Sequence, residues 1–190
     1  MLLTLTFALA YASTNLDNLA LLLGLAPTVG VVRASAAFVL TQALVIAAAF
    51  AVGAAADALP AAWLGWLGLV PIGLGLRELW RTCRGAGPAS AEAAPRPPSG
   101  WAALTLTFAG LSADTFALTA ALLADSAEAY DLRVMWGAVF ALACLCLIGI
   151  VASRAAAKVR RIVQKLERLT PFVMIASGLY ILADTVTDLV

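Results

Sequence analysis

Six apolar stretches, each about twenty residues long, constrain this chain more than any other feature of its sequence. An α-helix rises 1.5 Å per residue, so about twenty apolar residues cross the roughly 30 Å hydrocarbon core of a bilayer. Composition agrees, because 63% of the 190 residues are hydrophobic and only 12% are charged, against about 25% charged in an ordinary soluble domain. We therefore predict an all-α membrane protein. Its six transmembrane helices are predicted at Leu3–Leu25, Ala34–Ala56, Ala61–Trp80, Trp101–Ala124, Val134–Ala152 and Leu169–Asp188.

The chain repeats itself across a flexible connection. Thr4–Ala8 and Thr105–Ala109 share the sequence TLTFA at the start of the first and fourth predicted spans. A Pro-, Gly- and Ser-rich segment lies between the halves and is typical of a linker. We predict a first three-helix repeat at 1–84, a cytoplasmic linker at 85–100 and a second three-helix repeat at 101–190. Because three spans is an odd number, the two repeats are inverted in the membrane, as in many transporters.

Basic residues predict the orientation. With six spans, eleven of the twelve Lys and Arg residues fall on the side of the first, third and fifth connections, and only Arg133 lies on the other. The positive-inside rule makes that side cytoplasmic and puts both termini outside. We expect a multi-pass protein of the cytoplasmic (inner) membrane of a bacterium. The basic segment Arg154–Arg168 either lies along the membrane surface or extends a span as a helix.

Two short polar segments interrupt otherwise apolar spans. Thr14–Asn18 (TNLDN) lies in the first span and Ser112–Thr115 (SADT) in the fourth. A mid-span aspartate costs about 2.5–3.5 kcal/mol to insert, so by default it faces the protein interior or a water-filled cavity. The two segments align as three pairs: Asn15 with Ser112, Asp17 with Asp114, and Asn18 with Thr115. We predict that Asp17 and Asp114 face each other and bind a cation. The alternative is a pair of protonated structural aspartates.

The predicted ligands are all oxygen atoms. They come from Asp17, Asp114, Asn15, Asn18, Thr14, Ser112 and Thr115. Such ligands suit magnesium, calcium or manganese, and two carboxylates match the charge of a divalent ion. The chain has no histidine, and its three cysteines lie far in sequence from both aspartates. Because Asn and Asp favour local bonds to the backbone, we expect an unwinding near Thr14–Asn18 that frees backbone carbonyls. The alternative is a straight helix whose amides bond to neighbouring spans.

Four features of the chain match the motifs of a known family: Thr14-Asn15-Leu16-Asp17, Gln42 early in span two, the stretch LGLVPIGLG at 67–75, and Pro171 with the GLYIL ending at 178–182. In these residues the chain resembles the cadmium-resistance transporter (CadD-like) family, part of the lysine-exporter (LysE) superfamily. The resemblance covers nearly the whole chain, although span four has SADT where the family has Gly-Gly-Asp-Asn. It implies export of divalent cations, cadmium in the named members. It also makes Gln42 a candidate ligand, although Gln42 could equally form an interhelical hydrogen bond without touching the substrate.

We therefore expect a metal-efflux antiporter rather than an enzyme, with a divalent cation as substrate, protons as the ion exchanged for it, and no cofactor. The sequence contains no nucleotide-binding motif, and its net charge of +1 gives no reason to expect a nucleic-acid partner. One alternative is an exporter of a small organic cation or amino acid, and another is a membrane scaffold. Small-residue helix faces would allow a homodimer without requiring one. Asp184 is a candidate for an outer vestibule.

Overall fold

The computed structural model describes residues 2–56, 65–84, 100–125 and 128–187, and these are almost entirely helical, with no strand among them. Short 3₁₀ turns at Gly65–Gly68, Ser153–Ala155 and Glu167–Leu169 precede or join some of the helices. The α-helices in chain order are α1 (Leu2–Thr14), α2 (Leu16–Val29), α3 (Val31–Ala56), α4 (Leu69–Cys83), α5 (Trp101–Leu111), α6 (Ala113–Asp125), α7 (Glu128–Ala152), α8 (Ala156–Leu166) and α9 (Thr170–Thr187).

Helices lie in every segment predicted to span a membrane, but not all of them are long and apolar enough to cross alone. Three described helical runs meet that requirement, at Val31–Ala55, Leu132–Ala155 and Lys158–Ala183. The pair α5–α6 would make a fourth if its bent halves form one span. The structure thus supports a membrane protein with three to four candidate spans among the described residues. Most of the predicted linker, at 85–99, lies outside those residues, as does the side chain of Asp184.

The basic segment before the last span is helical and continues into that span. A single helical run extends from Lys158 to Ala183 and contains the 3₁₀ turn Glu167–Leu169. The segment is therefore helical from Lys158 onward and joined to the last predicted span within one helical run. The first part of the run, α8, packs against α2, where the guanidinium of Arg160 lies over Gly24.

Glycines bring α4 and α9 into close contact. A Cβ atom added at Gly68 would lie 2.5 Å from the carbonyl oxygen of Gly178, and one added at Gly75 would lie 2.8 Å from that of Pro171. Such spacing requires the absence of side chains, which is how small residues permit tight packing between membrane helices. The order of the two contacts shows that α4 and α9 run antiparallel.

The remaining helices pack across the two halves of the chain. Helix α1 packs against α7, where Gly137 lies against Thr4 and Phe7, and α3 packs against α5 and α6. The buried core lies along these contacts. On the outside, α3 and α7 expose large apolar side chains: Leu44, Phe140 and Leu147 are 58%, 63% and 62% exposed. In water such surfaces would be costly to leave uncovered, so they fit a lipid environment.

Candidate functional site

The first predicted polar segment interrupts its helix. Helix α1 ends at Thr14 and α2 begins at Leu16, with Asn15 between them at φ −101° and ψ 9°. The backbone N–H of Asn15 donates to the carbonyl of Ala12 at 3.3 Å, which is a tighter turn than an α-helix makes. The expected interruption of span one is confirmed, but it is limited to one residue rather than spread over Thr14–Asn18.

The second polar segment contains a matching interruption that the sequence did not predict. Helix α5 ends at Leu111 and α6 begins at Ala113, with Ser112 between them at φ −96° and ψ 10°, nearly the conformation of Asn15. The chain bends by 60° between α5 and α6. The Ser112 backbone N–H donates to the carbonyl of Ala109 at 3.1 Å, the same tight turn as at Asn15, and its hydroxyl donates to the carbonyl of Phe108 at 2.9 Å.

Each aspartate occupies the first turn of the helix that follows a break. The backbone N–H of Asn18 donates to Oδ1 of Asp17 at 2.7 Å, and that of Thr115 donates to Oδ1 of Asp114 at 2.9 Å. Helix N-termini carry a partial positive charge and unpaired N–H groups, so they stabilise carboxylates there. This local geometry orients both side chains in the same way relative to their helices.

The two breaks are in direct contact. The Thr115 hydroxyl lies 3.3 Å from the carbonyl oxygen of Thr14 and 3.2 Å from its hydroxyl oxygen. The side-chain amide of Asn18 donates to the Ser112 hydroxyl at 3.2 Å. The structure therefore brings together two segments nearly one hundred residues apart in sequence.

Asp17 lies within electrostatic range of Asp114, across the contact between the two breaks. Neither forms an ion pair with a basic residue in the described part of the chain. Glu167 adds negative potential at Asp17, and Glu78 adds it at Asp114. The region is therefore electronegative, which favours a cation.

A closed ring of hydrogen bonds holds the breaks in place. The Tyr11 hydroxyl donates to Oε1 of Gln42 at 2.9 Å, and Nε2 of Gln42 donates to the Ser112 hydroxyl at 3.0 Å. The side-chain amide of Asn18 also donates to Oδ1 of Asn15 at 3.3 Å. The side-chain amide of Asn15 donates to the Tyr11 backbone carbonyl at 3.0 Å, which closes the ring. All five side chains are buried. Sequence reasoning missed Tyr11, although a hydroxyl one turn before Asn15 in an apolar span was a signal for it.

This ring fixes which way the Asn18 amide points. The Tyr11 carbonyl can only accept a hydrogen bond, so Asn15 presents its NH₂ to Tyr11 and its oxygen to Asn18. Asn18 must then present its own NH₂ to Asn15. Its Oδ1 is left buried and has no hydrogen-bond partner among the described residues. A buried acceptor without a partner costs about 1–3 kcal/mol, so this oxygen is available to a ligand that supplies positive charge.

Six of the eight predicted ligands fall into two groups, and the hydroxyls of the other two, Thr14 and Thr115, lie 3.2 Å from each other. The side-chain oxygens of Asn15 and Gln42 each accept a hydrogen bond within the ring. The Ser112 hydroxyl accepts two bonds and donates one, which uses its full capacity. Asp17, Asp114 and Asn18 retain oxygen atoms suited to a cation. No group of three or more acidic or thiol side chains is placed to hold a metal among the described residues, so neutral oxygens would have to complete the coordination.

Sequence reasoning also missed a contact from the last helix. The Thr170 hydroxyl donates to the carbonyl of Ser13 at 2.8 Å, beside the break in span one. Only the fold brings residues 157 positions apart together here, and a lone threonine before a proline carried no signal for it.

Broken helices that meet among polar side chains, within a shell of exposed apolar surface, are typical of α-helical membrane transport proteins. Comparison of the chain with family models, with curated proteins and with solved structures finds no match.

Proposed function

We propose that this chain is a secondary transporter that exports a divalent metal cation by proton antiport. The observation that carries the proposal is the meeting of two broken helices, each with an aspartate in the first turn after the break. Asp17 and Asp114 lack basic partners among the described residues. A partly buried pair of like charges is unfavourable on its own, and a divalent cation between them would offset the cost.

The proposed ligands are the carboxylates of Asp17 and Asp114 and the unpaired Oδ1 of Asn18. Asn15, Gln42 and Ser112 would hold these ligands in place instead of touching the ion. All are oxygen ligands, which suits magnesium, calcium or manganese on chemical grounds. Cadmium, the substrate implied by the family resemblance, would be bound here without a thiolate. Weak coordination is compatible with transport, because an exporter must release its ion.

The packing supports six spans arranged as two inverted repeats. A Cβ atom added at Gly53 of α3 would meet Leu123 of α6, and one added at Gly149 of α7 would meet Leu22 of α2. Gly53 and Gly149 lie in predicted spans two and five, while Leu22 and Leu123 lie in spans one and four. The contacts are therefore reciprocal, as a two-fold relation between halves requires. The mutual approach of Gly68 and Gly178 fits the same relation, in spans three and six.

The proposed cycle uses the two carboxylates for both ions, since the chain has no histidine to carry protons. On the cytoplasmic side, a cation binds between Asp17 and Asp114 and displaces their protons. On the outer side, protons return to the carboxylates and the cation leaves. The two repeats would rock around the shared site, as inverted-repeat transporters do. The basic connections support a cytoplasmic face and termini outside.

Transport into proteoliposomes tests this function. Purified protein is reconstituted and assayed with manganese, cadmium, calcium, magnesium and zinc, each with and without a pH gradient. We expect uptake of at least one divalent cation, accelerated by a pH gradient of the correct sign and abolished by Asp17→Asn or Asp114→Asn. Glu92→Gln, in the linker, removes the same charge and serves as the control. Failure to transport any ion of the panel, or full activity of both aspartate variants, would overturn the proposal.

A further inference from the structure

The end of α1 leaves four backbone carbonyls without their usual helical partners, because the chain turns at Asn15. The Tyr11 carbonyl accepts hydrogen bonds from the side chains of Thr14 and Asn15. The Ala12 carbonyl accepts one from the backbone N–H of Asn15. These donors are local. The next two carbonyls differ, because their donors come from elsewhere in the chain.

Both of those donors are hydroxyls from the second half of the sequence. Thr170, at the start of α9, donates to the Ser13 carbonyl at 2.8 Å. Thr115, in the first turn of α6, lies 3.3 Å from the Thr14 carbonyl and shares its hydrogen with the Thr14 hydroxyl. Two consecutive carbonyl oxygens, directly before the break that leads to Asp17, are therefore capped by side chains of the other half.

These carbonyls belong to the C-terminus of a helix, which carries a partial negative charge and attracts cations. The same break begins α2, with Asp17 in its first turn. Unwound carbonyls beside a carboxylate are a common coordination arrangement for ions in broken-helix transporters. The acidic groups at this site are too few to complete a shell, since divalent cations such as calcium take six to eight oxygens.

We infer that the carbonyl oxygens of Ser13 and Thr14 are additional cation ligands, which the hydroxyls of Thr170 and Thr115 hold in the cation-free protein. The inference rests on the proposed transport function. Thr170 is then a positioning residue: it does not bind the ion, but its hydroxyl competes with the ion for the Ser13 carbonyl. When a cation enters, the carbonyl turns toward it and the contact between α1 and α9 is released.

Release of that contact would have a mechanical consequence. Helix α9 packs along its length against α4 through the Gly75–Pro171 and Gly68–Gly178 approaches, so the two helices would move as a unit. The Thr170 hydroxyl forms a direct hydrogen bond between that unit and α1. Cation binding would thereby change how firmly α4 and α9 are held to the site.

The test compares Thr170→Val, which keeps the shape and removes the donor, with Thr170→Ser, which keeps the donor. Thr107→Val is the matched control, since among the described residues the Thr107 hydroxyl bonds only within its own helix, to the Ala103 carbonyl at 2.7 Å. Cation affinity is measured on purified protein by the concentration of manganese or cadmium that half-maximally raises thermal stability. Transport KM and kcat are then measured in proteoliposomes. Thr170→Ala replaces the valine variant if the latter is not recovered folded.

We expect Thr170→Val to bind the cation about two- to tenfold more tightly and to lower KM, because one competing hydrogen bond is lost. Thr170→Ser and Thr107→Val should bind like the wild type. A merely structural role predicts the opposite sign, with weaker binding in the valine variant. Weaker or unchanged binding therefore overturns the inference. If the wild type binds cation and Asp17→Asn does not, the proposed function survives that failure; if the wild type binds no divalent cation, both fail.

Discussion

Replacement of Asp17 by asparagine tests the site most directly, because the two side chains have the same shape and differ in charge. The oxygen of asparagine can still accept the hydrogen bond from the Asn18 backbone N–H that Asp17 receives at 2.7 Å. The break between α1 and α2 should therefore persist. What is lost is a group that can carry a negative charge when the cation displaces its proton. The cation-free variant should be at least as stable as the wild type.

The size of the expected effect follows from ligand linkage. Groups that only orient metal ligands cost 10–100-fold in affinity when removed, so loss of a charged ligand should weaken binding by about 100-fold. At a cation concentration 100 times the wild-type Kd, binding stabilises the wild type by about 2.7 kcal/mol. The same concentration stabilises the variant by only about 0.4 kcal/mol. For a chain of this length, those values correspond to Tm increases of about 5–11 °C and about 1–2 °C.

The assay is thermal unfolding in detergent, followed by tryptophan fluorescence, with the cation titrated over at least four orders of magnitude. Asp114→Asn should behave in the same way, because Asp114 holds the equivalent position after the other break. Glu92→Gln should retain the full wild-type shift. Equal Tm increases in the wild type and both aspartate variants would show that the cation binds elsewhere, and the reasoning would be refuted.

Three further predictions follow from packing and exposure. Gln42→Leu should lower the free energy of unfolding by about 1–3 kcal/mol, because it removes two buried hydrogen bonds and leaves the Tyr11 hydroxyl unpaired. Denaturation without cation measures this free energy, and an unchanged value would contradict a stabilising role of the hydrogen-bond ring. Gly75→Ala should destabilise the protein by about 1–3 kcal/mol, since its Cβ would lie 2.8 Å from a backbone oxygen. At the control position Gly73, an added Cβ would meet no atom of the described residues within 4 Å, so Gly73→Ala should be neutral or stabilising by up to about 1 kcal/mol. Cys83 is exposed at the end of α4, so a membrane-impermeant maleimide should label it in inside-out vesicles but not in intact cells, and the reverse pattern would invert the proposed topology.

Much of the architecture could be read from local sequence. Apolar runs of helical length predicted where the helices lie, because in a bilayer only internal hydrogen bonds can satisfy the backbone. The cost of placing a carboxylate among apolar residues singled out Asp17 and Asp114. The break at Asn15 was predicted because the amide and carboxylate side chains of Thr14–Asn18 compete with the helix. The break at Ser112 was not, since a single serine in a span usually bonds back to its own helix without interrupting it.

The roles of the polar side chains could not be assigned from sequence. Asn15, Asn18 and Gln42 are all amides in apolar spans, and each was a candidate ligand. Only the ring of hydrogen bonds shows that Asn18 alone among them keeps an oxygen without a partner in the described part of the chain. Tyr11 and Thr170 received no role from sequence, because their partners lie 31 and 157 residues away.

The sequence by itself determined that this protein is helical, suited to a membrane, and built around two acidic positions in apolar segments. These properties follow from hydrophobicity, spacing and charge, which are local and additive. The tertiary structure alone decided that the two breaks touch, which oxygen remains available, and which hydroxyls cap the carbonyls before Asp17. Those features depend on the directions of donors and acceptors brought together from distant helices, and direction is a property of the packed fold.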